Sequence, residues 1–138
     1  MATFNKFDQF VGDLGLGVHN LETGTLKVML TNSAPIASNT ILANLTDLST
    51  ANGYTAGGAA CGGTYSQTSG TGTLATTDVV WTASGGTIGP FRYAVLYNDT
   101  PTSPADPLIG WWDYTTNVTL QIGETFTVDF GASTLTIT

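Results

Sequence analysis

Residues 118–130 read VTLQIGETFTVDF. Val118, Leu120 and Ile122 alternate with Thr119 and Gln121; Gly123-Glu124 turns the chain; Phe126, Val128 and Phe130 then alternate with Thr127 and Asp129. Successive side chains of a strand point to opposite faces, so a period of two gives each run one apolar and one polar side. Two such runs around a glycine turn predict two strands over a buried layer.

The same punctuation extends in both directions. Beyond Gly131, Leu135 and Ile137 alternate with Thr134, Thr136 and Thr138. Upstream, Leu108–Tyr114 reads as a strand, and Asn98–Pro107, with its three prolines, as a loop. Phe91–Tyr97 is a nearly continuous apolar run, which predicts a central strand buried on both faces. Ser84-Gly85-Gly86 is a turn after a strand over Asp78–Ala83, which carries Val79, Val80 and Trp81. The Gly-, Thr- and Ser-rich stretch 52–72 predicts thin strands around Ala59–Ser66 and Gly72–Thr76. Asn32–Ala51 is a long connection pinned to the core by Ile41, Leu42, Leu45 and Leu48, with room for one helical turn. In Thr25–Thr31, Leu26, Val28 and Leu30 alternate with Lys27 and Met29.

One segment departs from period two. Phe7, Phe10, Val11 and Leu14 recur at helical spacing, with Lys6, Asp8, Gln9 and Asp13 opposite, Asn5 as N-cap, and Gly15 and Gly17 as stops. The expectation is an all-β, single-domain β-sandwich, jelly-roll-like, of about eight strands with one short N-terminal helix. Residues 1–20 form an arm carrying the helix and 21–138 the sandwich.

Only 9% of the 138 residues are charged, against about 25% in an average domain. The net charge is -7, and the cations are Lys6, Lys27 and Arg92. Three scattered cations build no basic patch, so neither nucleic acid nor an anionic membrane surface is an expected partner. The opening MATFNKFDQF lacks a basic stretch followed by an apolar one, and no run of 18 apolar residues exists. The expectation is synthesis in a cytoplasm, without a secretion signal.

Catalytic sets are thin. A hydrolytic triad needs a histidine, and the one histidine, His19, follows the helix stop, where it reads as a surface or capping residue. One His and one Cys make a zinc site improbable. Cys61 reads as a small buried or semi-buried thiol rather than a nucleophile. Asp113, Glu124 and Asp129 could supply a carboxylate pair, but ten acids give such pairs by chance. No enzyme activity, metal or cofactor is expected. Arg92, inside an apolar strand, needs a partner if it is buried, and Asp113 or Asp129 are the candidates for a structural ion pair. Trp111 and Trp112 are adjacent on a strand, so they point to opposite faces. The outer ring is covered by the chain's own loops, anchors a protein interface, or stacks on a sugar.

Four stretches together carry a resemblance: TLKVMLTNSAP at 25–35, NGYTAGG at 52–58, WTASGGTIGPFRYAVLYNDT at 81–100 and LIGWWDYTTNVTLQIGETFTVDF at 108–130. The combination resembles small virion proteins of tailed bacteriophages, and within them the capsid cement (decoration) proteins of short-tailed phages such as a Bordetella phage. The resemblance implies a β-sandwich on the outer surface of a phage head. There it would bridge major capsid protein subunits as a homo-oligomer, dimer or trimer, and stabilise the shell. A tail or head–tail joining component and a carbohydrate-binding module are the alternatives. The contact surface expected from the sequence is the aromatic stripe Phe4, Phe7 and Phe10, with the outward member of Trp111 and Trp112.

Overall fold

The computed structural model describes residues 2–138 and is all-β with one short helix. The main sheet has the order β1-β8-β7-β2-β3, from Thr3–Lys6 (β1), Leu108–Leu120 (β8), Ile88–Asn98 (β7), Leu26–Thr31 (β2) and Ala59–Ala60 (β3). Its strands pair antiparallel. Two smaller sheets hold the other strands. One joins Leu135–Ile137 (β10), Thr71–Ala75 (β5) and Thr64–Thr68 (β4); the other joins Val79–Thr82 (β6) and Thr125–Val128 (β9). The helix, Asp8–Gly15 (α1), follows β1 directly.

Period two accounts for the layers. Leu26, Val28, Leu30, Ala94, Leu96 and Trp112 of the main sheet pack with Leu74, Val79, Trp81, Val128 and Leu135 of the small sheets. The opposite face of the main sheet is also covered. Met29, Val95, Tyr97 and Leu108 form a second core with Phe7 and Leu45, over which Leu42 and Trp111 pack. Its cover is the 32–51 connection, which carries a single 3₁₀ turn at Leu42–Asn44. A central strand walled on both sides has no polar face to show, which is why 91–97 is apolar throughout.

The connection is fastened by one buried hydroxyl. Tyr54 Oη donates to Asp47 Oδ1 at 2.6 Å and accepts Leu30 N–H at 3.0 Å. Asp47 Oδ2 accepts Gly57 N–H, and Tyr97 Oη donates to Gly57 O at 2.5 Å. Burial and the Asp47 carboxylate push the Tyr54 phenol far above its ordinary range. Gly58, at φ +79°, lies so close to β2 that a methyl group there would overlap the Val28 carbonyl.

Strand boundaries differ from the sequence reading in three places, each for a physical reason. Residues 3–6 form an edge strand on β8, with Phe4 opposite Trp112 and Lys6 opposite Gly110. Gly110 leaves the space that the Phe4 ring fills. Residues 59–66 divide, because Ala59–Ala60 pairs with β2 while Thr64–Thr68 pairs with β5. The segments 108–114 and 118–122 are one strand up to Leu120. Between Phe91↔Val118 and Tyr93↔Asp113, β7 advances two residues while β8 advances five, so 114–117 bulge out of the ladder. The turn Gln121–Glu124 then carries the chain from the main sheet to the small one, leaving Ile122 exposed.

Helix α1 also departs from its expected face. Its N-cap is Phe7, not Asn5. Phe10 and Asp13 are its buried residues, whereas Val11 points outward. Among the described residues no helix is long and apolar enough to cross a membrane.

Candidate functional site

Phe7 and Phe10 are buried completely or nearly so. Phe7 stacks on Trp111, centroids 4.5 Å apart, in the second core, and Phe10 lies 5.3 Å from the His19 ring in the first. Neither is available to a partner, which corrects the expectation for these two. A helix of eight residues cannot expose both and stay folded, so its aromatics anchor it to the sheet. Trp111 is half-buried against the chain's own Phe7 and is the more exposed of the two tryptophans; Trp112 is buried between Phe4 and Phe130. Phe4 is half-buried.

Arg92 reaches Asp113 through two bonds, Nε to Oδ1 at 2.8 Å and Nη2 to Oδ2 at 3.1 Å. The bond to Arg92 is the main cause holding the Asp113 carboxyl below its usual range. Asp129 takes no part in this pair: it is exposed, and its Oδ1 accepts Gly131 N–H at 2.8 Å. The bulge explains the choice, since it sets Asp113 opposite Tyr93, next to Arg92, while Asp129 follows β9 in another sheet.

His19 is buried rather than on the surface, with Nδ1 3.3 Å from Asn98 Nδ2. Desolvation lowers its pKa, and nearby Asp13 opposes the shift. Neither His19 Nε2 nor Asp13 Oδ2 has a hydrogen-bond partner among the described residues. Cys61 is a buried free thiol pushed up to about 11 by burial. Lys27 pairs with Asp99 at 3.0 Å.

Two surface features remain. Val11 on α1 (55%) and Leu16 at its C-cap (80%) are exposed, as are Ile36, Val80 and Ile122 elsewhere. Beside it a groove of about 340 Å³ runs between β1, α1 and β10, lined by Phe4, Phe10, Val11, Leu14, Leu135 and Ile137, with Lys6 at its edge. On the other side of Phe4 lies a trench of about 500 Å³, bounded by Phe4, Trp112, Tyr114, Thr127, Asp129, Phe130 and Ser133. Tyr114 is pushed up to about 12 by burial and by the Asp129 carboxylate.

Of the expected stripe Phe4, Phe7 and Phe10, the last two are buried, and the exposed apolar residues of this segment are Val11 and Leu16. The signal was available in Leu16, which lies beyond the glycine stop and outside the Phe7–Leu14 stripe. No protein-family model matches this chain, and neither does any curated protein or solved structure.

Proposed function

We propose that this chain is a capsid cement protein that binds the outside of a tailed-phage head and bridges neighbouring major capsid subunits as a dimer or trimer. The observation that carries this reading is exposed apolar surface at α1. Val11, on the helix beside an apolar groove, and Leu16, at its C-cap, stand open to solvent on a segment locked to the sheet by Phe7 and Phe10. Large exposed apolar side chains clustered beside a groove mark protein contact surfaces. The sparse charge of the surface supports the same reading, because charge must be desolvated on docking. Repetition over a shell multiplies a modest contact energy, so no single interface needs high affinity. The residues that carry the resemblance, 25–35, 52–58, 81–100 and 108–130, belong to the main sheet, β6, β9 and their connections, which form the rigid platform under the helix.

The test adds purified protein to heads that lack it. Saturable occupancy at symmetry-related sites and raised resistance to heat are expected, with both lost in the double variant Val11→Ser, Leu16→Ser. A folded wild-type protein that never binds heads overturns the reading.

A further inference from the structure

We propose that the trench between β1, β8 and the β9–β10 connection is a binding site for a neutral sugar unit of a glycan. The site is separate from the helix strip and does not depend on the capsid reading.

Its floor is aromatic. Trp112 is held between Phe4, 5.1 Å away and tilted by 54°, and Phe130, 5.3 Å away at 67°. Tyr114 forms the wall, braced edge-on by Phe126 at 5.0 Å. Phe4 and Tyr114 are half-buried, so each keeps part of its ring open to the trench. The rim is polar and its hydrogen-bonding capacity is largely unused. Asp129 Oδ1 is taken by Gly131 N–H, which leaves Oδ2 free. The Tyr114 hydroxyl and the hydroxyls of Thr127 and Ser133 find no partner among the described residues. Asp129 and Tyr114 both line the trench, so it offers a carboxylate acceptor and a phenol donor.

A pyranose matches that pattern. Its C–H face is apolar and suits an aromatic wall, while its hydroxyls donate to a carboxylate and exchange bonds with a phenol. Charge narrows the class. No Lys or Arg lines the trench; Arg92 and Lys27 are paired elsewhere and Lys6 lines the other groove. A phosphate, sulfate or acidic sugar would meet only Asp129. A quaternary ammonium group would need ring faces turned inward as a cage. Here Phe4 and Phe130 each pack at a tilt against Trp112.

The test titrates ¹⁵N-labelled protein with neutral gluco-, galacto-, manno- and N-acetylglucosamine oligosaccharides, and separately with tetramethylammonium. Expected are shifts of the Trp112 indole N–H and of amides 129–134 with at least one saccharide. Tyr114→Phe and Asp129→Asn are each expected to weaken that binding by about tenfold, the effect of losing one good hydrogen bond, with the thermal midpoint unchanged. Asp129→Asn keeps an oxygen for Gly131 and replaces the free acceptor oxygen and its charge with an NH₂ donor. Three results each overturn the site: no response to any saccharide at tens of millimolar, a response to tetramethylammonium alone, or saccharide binding untouched by both variants. Head binding measured on the same variants reads the capsid proposal separately, since neither residue lies on α1.

Discussion

Asp113 serves two partners at once, the guanidinium of Arg92 across the ladder and the N–H of Thr115 at 2.7 Å within its own strand. Thr115 has φ +69°, a conformation costly for a β-branched residue. The carboxylate therefore fixes the ion pair and the bulge together. Its folded pKa lies below the ordinary value. The stability it contributes is full above the unfolded pKa and is lost as pH falls through the folded one. Asp113→Asn is expected to lower the thermal midpoint slightly at pH 7 and to shrink the loss between pH 5 and 2. The effect is small because both side chains are about one-third exposed. Midpoints of the two proteins by circular dichroism across that range check it; parallel curves refute it.

The Tyr54 hydroxyl ties the 42–58 cover to β2, bonding both the Leu30 N–H and Asp47. Tyr54→Phe keeps the ring and strands the Leu30 N–H in the core. The expected loss is about 1–3 kcal/mol, the cost of leaving a buried polar group unpaired. Urea unfolding measures it, and a loss under about 0.5 kcal/mol, the level of an ordinary surface change, would show the latch to be idle.

Phe7 and Leu16 lie at opposite ends of the helical segment and differ in kind. Phe7→Ala opens a cavity in the second core and is expected to cost about 3–5 kcal/mol. Leu16→Ser, at a position 80% exposed, should change stability by less than about 0.5 kcal/mol while reducing attachment to heads. Denaturant midpoints and a head-binding assay on both variants separate anchoring from docking.

That division marks what the sequence alone could tell. The apolar run 91–97 marked a strand buried on both faces, and the alternations at 26–30 and 126–130 marked strands with an apolar side, although Met29 on the other side of 26–30 is also buried. The leucines of 32–51 were legible as anchors for the same reason: they are apolar in a polar segment. Helical spacing was less informative. In an eight-residue helix, two turns against a sheet, small rotations decide whether Val11 or Asp13 faces inward, and Phe7 and Phe10 fixed that rotation. The Arg92 partner depended on a bulge with no glycine or proline to announce it, since Thr115 adopts the positive φ. The trench joins residues 2–4, 112–114 and 127–134, which only the pairing of β1 with β8 brings together.

His19 offers the last test, through pH. Asn98 Oδ1 accepts Thr100 N–H at 3.1 Å, so the Asn98 amide donates to His19 Nδ1 and the imidazole proton sits on Nε2. A second proton on Nδ1 would face the Asn98 NH₂, and burial already lowers the pKa despite Asp13. The unfolded chain takes up a proton near pH 6.5 while the folded chain resists it to lower pH. Unfolding is thereby favoured as pH falls from 7.5 through 6.5, and the slope levels once folded His19 titrates. His19→Gln is expected to be less stable at pH 7.5 yet nearly flat between pH 7.5 and 5.5, where the wild type declines. Urea midpoints at both pH values for the two proteins decide it: equal slopes would mean that folded and unfolded imidazoles titrate alike, and a wild type that gains stability as pH falls would mean that the buried imidazole is already charged, with Asp13 as its counter-ion.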